Sequence, residues 1–384
     1  MKTVLFVSHT AELNGAELWL FETLKGLDRA KYTPLLALPG PGILEDAARA
    51  AEIETFRVPL VWWITEKSGL WKGPAAGILT RRHAGRLAVL AREKNAGLIF
   101  TNSAAVSAGA LAAKKAGLPH VWAVHEMLAG PLAHLFYWRG PGRLARFIAD
   151  HSCRVIVNSR ASAAAFPPTE KIVLVYNGVK RKPYPAERLD DVRREFGIAA
   201  GAPVIGVVGK IYEGKRQGDV IRAAALLSGT FPDLNVLIVG ETRDKRYSAR
   251  LKALAEETGL AGRVKFAGYR HDLAGPLKIM SVLAVASTIE SFGRTAIDAM
   301  AAGVPVVAAP SGGLIEIIKD GLNGILASRP GPEGLAEGIR RVLSDPALAR
   351  SFIENGFRTV EARFSLSAQV RGVEAVLDAC GGSG

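Results

Sequence analysis

The hydrophobic positions of this chain come in short continuous blocks rather than in alternation with polar ones. Val4–Ser8, Pro34–Leu38, Leu98–Asn102, Val121–His125, Val155–Asn158 and Ile172–Val175 form one series. Val204–Val208, Val236–Val239, Val264–Ala267, Val282–Ala286 and Val306–Ala309 form a second. A brief, wholly apolar run rich in β-branched residues suits a parallel strand covered on both faces. Between the blocks lie Ala/Leu/charged stretches with helical spacing, such as Arg82–Lys94, Ala104–Ala116 and Lys215–Leu227. This alternation of strand and helix predicts a doubly wound α/β fold.

The two series are separated by Arg181-Lys182-Pro183-Tyr184-Pro185. Two prolines within three residues suit a stiff linker. A boundary near residue 180 therefore gives two similar-sized α/β halves, 1–180 and 181–360, as the 384-residue length also suggests. Ligands are expected at the carboxyl ends of the strands and in the cleft between the halves. Gly381-Gly382-Ser383-Gly384 reads as flexible coil.

Composition narrows the function classes. The chain is 49% hydrophobic and 22% charged, so it can bury two cores and is not disordered. Its 41 glycines suggest many tight loops. With only two cysteines, Cys153 and Cys380, a disulfide framework and any Cys-based zinc or iron–sulfur site are excluded. No apolar run reaches the ~20 residues of a membrane helix. The apolar run at the N-terminus is too short for a signal peptide and reads as a first strand, which points to the cytoplasm. Lys plus Arg number 49 against 36 Asp plus Glu, a formal net charge of +13. Such a surface favours anions, or serves solubility alone. Nucleic acid is not indicated, because the basic residues are scattered and match no nucleic-acid motif.

Four segments carry candidate chemistry. In Ala286–Val307 a strand ends near Ser287, a loop carries Glu290 and Gly293, and a helix follows. The unpaired N–H groups and positive dipole end of that helix form a natural phosphate site. Glu290 and Asp298 stand eight positions apart across the junction, either as site carboxylates or as a loop acid and a surface acid. In Val204–Gln217 a strand runs into a Gly-containing loop with Lys210 and Lys215. These are able to converge on a diphosphate as point charges, or are simply solvated. The loop is neither a Walker A sequence nor a Gly-x-Gly-x-x-Gly fingerprint. The third segment, Asn14-Gly15-Ala16-Glu17, follows the first strand, and Gly15 lets the backbone approach a ligand. The fourth is a strand ending in His125-Glu126, placed for a catalytic or a structural histidine.

Together these segments resemble the retaining GT-B glycosyltransferases of family 4, the glycosyl transferases of group 1. The second half carries the acid-x₇-acid segment in a Ser-x-x-Glu…Gly…Ala-Met-Ala-x-Gly-x-Pro-Val-Val setting, and a Gly-Lys…Lys loop. Downstream, Ser311-Gly312-Gly313-Leu314-Ile315-Glu316 and Asp320-Gly321-Leu322-Asn323-Gly324 match in order and spacing. The first half adds Asn14–Glu17, His125-Glu126, Val157-Asn158-Ser159 and Tyr176-Asn177-Gly178-Val179. The similarity spans most of residues 1–345 and is sharpest over 203–326.

The resemblance implies two Rossmann-like domains facing across a cleft, the first for the acceptor and the second for the donor. A C-terminal helix within 361–384 would return to the first domain. Lys210 and Lys215 would hold the donor diphosphate without a metal or other cofactor. Glu290 would face the sugar hydroxyls. Ser291, Phe292, Gly293, Arg294 and Thr295 would line the phosphate at the helix start, Phe292, Gly293 and Arg294 through their N–H groups. Asp298 would bond the ribose, Gly15 would approach the diphosphate, and His125 would lie near sugar and acceptor. The expected donor is a sugar carried on UDP, GDP or ADP. The acceptor is a glycan, a lipid-linked sugar or a small molecule. Two departures stand out: Asp298 replaces the usual Glu and Lys210 the commoner Arg, which shortens one reach and removes one bidentate fork.

Retention implies that the acceptor hydroxyl attacks from the face the diphosphate leaves, with the leaving phosphate taking the proton. Two other readings of the same scaffold remain: a sugar-nucleotide epimerase or hydrolase using His125 and Glu126, and a non-catalytic nucleotide-sugar binder. For the acceptor, Val61–Lys72 with Trp62, Trp63 and Trp71 offers a sugar-stacking surface, a membrane-interface element or a satellite core. Leu132–Ile148, with Leu135, Phe136, Tyr137, Trp138, Arg139, Arg143, Arg146 and Phe147, suits anionic lipid headgroups at the inner face of the plasma membrane, or is an ordinary helix on the sheet.

Overall fold

A computed structural model describes residues 1–66, 73–128, 135–136, 140–181 and 183–381; of residues 65, 66, 73, 74, 135 and 136 it describes the backbone alone. The chain forms two compact units. The first is Met1–Gly178 with Ser365–Gly384, and the second is Val179–Phe364.

The first unit is built on β1 (Lys2–Ser8), β2 (Tyr32–Leu38), β3 (Glu54–Arg57), β5 (Leu98–Asn102), β6 (His120–Val124), β8 (Arg154–Val157) and β9 (Ile172–Leu174). They pair in the order β3-β2-β1-β5-β6-β8-β9, all parallel. A two-residue pair, β4 (Thr65–Glu66) with β7 (Leu135–Phe136), is antiparallel and separate. Side chains of a strand alternate between faces. Val4 and Phe6 of β1 accordingly pack with Trp19, Leu20, Val373 and Leu377, while Leu5 and Val7 pack with Ala84, Leu87, Ala108 and Ala112. Helix covers both faces, which explains the unbroken apolar runs. The edge strand β3, Glu-Thr-Phe-Arg, escapes that signature because half of it faces water.

The helix Leu366–Ala379 packs within the first unit against Gly15–Gly26. Gln369, buried on this helix, donates through Nε2 to the Trp19 carbonyl (3.1 Å) and to Thr23 Oγ1 (2.7 Å), and accepts the Gly178 N–H (2.6 Å). One expectation fails here. Cys153 and Cys380 form a disulfide, although they stand 227 residues apart. The helix brings Cys380 back to the start of β8, a proximity that two isolated cysteines in a sequence do not reveal. A cross-link closing so long a segment contributes about 5 kcal/mol in the chain-entropy picture. In protein purified without reductant, adding a phosphine should lower the first unit's melting temperature by several degrees. Two freely titrating thiols before reduction, with no change in melting after it, would contradict the bridge.

The second unit contains β10 (Val204–Val208), β11 (Asn235–Val239), β12 (Val264–Gly268), β13 (Val282–Val285), β14 (Val306–Ala308) and β15 (Ile325–Leu326). The order is β12-β11-β10-β13-β14-β15, all parallel. In both sheets the chain first winds outward, then crosses back to continue on the other side of its starting strand. The strand order therefore reverses between β1 and β5 in one sheet and between β10 and β13 in the other. Connections diverge at such a switch point and leave a crevice beyond the strands' carboxyl ends, where α/β folds bind ligands.

Candidate functional site

The candidate residues of the second unit cluster at its switch point. Beyond β10 the chain passes Gly209 and Lys210, makes a 3₁₀ turn at Glu213–Lys215, and enters the helix Gln217–Leu227 through Arg216 in the left-handed region. Beyond β13, Ser287–Gly293 leads into the helix Arg294–Ala302. The two loops are tied together where the Thr288 N–H donates to the Gly214 carbonyl (3.2 Å). Gln217 Nε2 donates to the Lys210 carbonyl (3.0 Å) and fixes the start of the first loop.

Glycines make this packing possible. A Cβ on Gly240, at the end of β11, would lie 2.0 Å from the Gly209 carbonyl oxygen. The loop after β14 presses equally hard on the Glu290 loop. Ser311 Oγ donates to the Ser287 carbonyl (2.8 Å), and the Gly313 N–H donates to the Glu290 carbonyl (2.9 Å). A Cβ on Gly312, whose φ is +48°, would lie 1.9 Å from the Glu290 oxygen, and one on Gly313 would lie 2.4 Å from the Phe292 oxygen. Gly312 and Gly313 therefore set the height at which Glu290 is held.

Within this frame Lys215 Nζ lies 2.6 Å from Glu290 Oε2, with the side chains 21% and 14% exposed. Burial pushes the Lys215 ammonium toward losing its proton, but the charge and hydrogen bond of Glu290 outweigh it and hold the pKa above its ordinary value. Lys215 is thus a fixed cation aimed at the crevice. Lys210 is more open, and its Nζ stands 4.0 Å from Glu241 Oε2.

Ser291, Phe292, Gly293, Arg294 and Thr295 form the start of the second helix. Gly293 caps it at φ +106°, and Phe292 is buried edge-on against Phe364. Asp298 sits one turn in and shares its carboxylate with Arg294, Nε to Oδ2 3.6 Å. Their i,i+4 spacing on the helix is what brings the two side chains together. Lys210, Lys215, Glu290, Ser291, Phe292, Gly293, Arg294, Thr295 and Asp298 thus share the strand ends of one sheet.

Gly15 and His125 belong to the first unit. Gly15 opens the helix Gly15–Gly26 behind β1, and a Cβ there would meet nothing within 4 Å. His125 follows β6 and stacks edge-on to Trp19. A residue absent from the sequence reading, Asn102 at the end of β5, joins them. Its Nδ2 donates to the Ala16 carbonyl (3.1 Å), and its Oδ1 lies 2.8 Å from His125 Nε2. A carbonyl can only accept, so the amide is oriented, and His125 Nε2 carries a proton toward Oδ1. Glu126 is committed to backbone and hydroxyl. It accepts from Ser103 Oγ, from the Ala104 N–H (3.0 Å) and from the His125 N–H (3.0 Å).

Of the segments considered for the acceptor, Pro141–Asp150 is an amphipathic helix. Leu144, Ala145 and Ile148 are buried, Phe147 stacks on His151, and Arg143 and Arg146 face water. Trp71, Tyr137, Trp138 and Arg139 lie outside the described residues, as do Lys182 of the linker and the last three residues of the tail.

The geometry can be compared with known proteins. The family described as "Glycosyl transferases group 1" matches residues 190–359, and that described as "Glycosyltransferase Family 4" matches residues 13–182. The lipopolysaccharide core biosynthesis glycosyltransferase LpsE of Rhizobium meliloti is 33% identical over 176 residues, 46% of this chain and 50% of its own length. The D-inositol 3-phosphate glycosyltransferase of Mycolicibacterium vanbaalenii is 33% identical over 273 residues, 64% of this chain and 60% of its own. This chain thus spans between half and two thirds of these relatives. Among solved structures, Anabaena HepE in complex with UDP superposes with a TM-score of 0.82 at 26% identity, covering 98% of this chain and all of that one. HepE with UDP-glucose gives 0.82 at 25% identity over the same shares.

Proposed function

The chain belongs to the group 1 glycosyl transferases, and on that premise we propose that it moves a sugar from a nucleoside-diphosphate donor to an acceptor hydroxyl with retention at the anomeric carbon. The observation that carries this reading is the Lys215–Glu290 pair (2.6 Å) beside the start of the helix Arg294–Ala302, at the switch point of the second sheet. A cation and a row of helix N–H groups suit a diphosphate, and the adjacent carboxylate suits sugar hydroxyls. UDP is the first candidate carrier, since HepE at 25–26% identity is seen with UDP and UDP-glucose.

In this reading Lys210, Lys215 and the N–H groups of Phe292, Gly293 and Arg294 hold the diphosphate, and Asp298 contacts the ribose. As the bond from the anomeric carbon to the diphosphate breaks, negative charge grows on the leaving oxygen beside Lys215. The acceptor oxygen bonds to the same face, and its proton passes to the departing phosphate. The lysines and the helix dipole supply the positive charge, so no divalent metal is required. Glu126 accepts three hydrogen bonds, from Ser103, Ala104 and His125, and this structural engagement weighs against an epimerase or hydrolase that would use it.

A thermal-stability screen against UDP, GDP and ADP in EDTA-containing buffer tests the donor reading. A nucleotide present at 100 times its dissociation constant should stabilise its unit by about 2.7 kcal/mol. One nucleoside diphosphate should give a clear upward shift, and the absence of a shift with all three would refute a donor site.

A further inference from the structure

We propose that the indole of Trp62 is a stacking platform for a pyranose ring of the acceptor, a role that deepens and rests on the transferase reading above. Trp62 and Trp63 straddle the switch point of the first sheet. Trp62 Nε1 donates to the His9 carbonyl in the loop after β1 (3.1 Å). Trp63 reaches the loop after β5, with Nε1 donating to the Ala104 carbonyl (2.7 Å) and its backbone N–H to that of Ala105 (3.2 Å).

The two rings have different surroundings. Trp63 is half-buried against the core, stacked on Trp122 with centroids 6.1 Å apart and edge-on to Phe147. Trp62 is 41% exposed. Its one polar atom is already bonded to protein, and its ring lies against His9 with centroids 5.2 Å apart. His9 is itself fixed by Glu17, Nδ1 to Oε1 3.0 Å, with Glu17 buried. Trp62 is thus partly open to water, with its ring held in place by the His9 carbonyl and imidazole. It stands at the sheet end where α/β folds take ligands, the end that also carries Gly15, Asn102 and His125. A sugar ring offers the matching chemistry. Its apolar C–H face covers the indole, and its equatorial hydroxyls remain available to polar neighbours.

Saturation-transfer NMR on the intact chain tests this, with methyl α-D-glucopyranoside, methyl α-D-mannopyranoside and methyl β-D-galactopyranoside as probes and UDP present. At least one glycoside should receive saturation in the wild type. Binding should be about tenfold weaker in Trp62→Leu, equivalent to about 1.4 kcal/mol, and largely kept in Trp62→Phe. The UDP-induced thermal shift should be the same in all three proteins. Equal glycoside binding to wild type and Trp62→Leu overturns the proposal, as does binding of none of the probes. Trp62-dependent sedimentation with anionic vesicles, without glycoside contact, would also overturn it and assign the ring to a lipid surface. Loss of the UDP shift in the wild type would count against the donor reading alone, since the glycoside measurement stands without it.

Discussion

Replacing Lys215 with Ala should reduce turnover at saturating donor by a factor of about 10² or more, the usual effect of deleting a donor aimed at developing charge. The structure gives the reason. Lys215 is not a mobile surface lysine but is held 2.6 Å from Glu290 on a turn clamped by the Thr288–Gly214 bond. Its charge therefore needs no reorganisation as the diphosphate departs. The variant also leaves the Glu290 carboxylate facing the crevice without its partner, repelling the donor's phosphates. Both effects lower the rate. Near-normal turnover in Lys215→Ala at saturating donor would remove Lys215 from the chemistry.

Glu290→Ala should behave differently, and the contrast is informative. Transfer should fall by a factor of about 10–10² as the sugar loses a hydrogen bond to a charged acceptor, worth about 1.5–3 kcal/mol. UDP should bind as tightly as to the wild type or more tightly, because the Lys215 charge no longer has a competing carboxylate. A pH effect follows with a definite sign. In the wild type the pKa of Lys215 is held above the ordinary lysine range, so the cation persists through neutral and mildly alkaline pH. Without Glu290 only the opposing influence, burial, remains large, and the pKa moves down. UDP affinity in the variant should therefore decline at a lower pH than in the wild type, as calorimetry across about pH 6–10 would show. Abolished UDP binding with residual transfer intact would place Glu290 wrongly.

Much of the fold is written in the apolar runs. Leu98–Asn102 and Val204–Val208 coincide with β5 and β10 to the residue. Buried parallel strands leave an unambiguous pattern, whereas the edge strand β3 and the two-residue β15 bury too little to leave one. The candidate site of the second unit was legible as separate pieces, since Lys215 and Glu290 stand on the expected loops. Their ion pair was not, because it depends on how closely two loops approach. That distance is set by Gly240, Gly312 and Gly313, which appear in sequence only as glycines near strand ends. Asn102 leaves no signal in the sequence for a similar reason. A polar residue closing a strand is commonplace, and only the fold shows it joining Ala16 to His125. The Cys153–Cys380 bridge is the extreme case, a contact made wholly by the return of the last helix.

The second unit, as proposed above, holds a nucleoside-diphosphate site built on Lys215. Calorimetric titration of UDP into the intact wild-type chain and into Lys215→Ala tests it most directly. Saturable one-to-one binding to the wild type, at least about tenfold weaker in the variant, is the predicted result, equivalent to a loss of about 1.4 kcal/mol. Equal affinity in the two proteins, or no saturable heat with UDP, GDP or ADP, would contradict it.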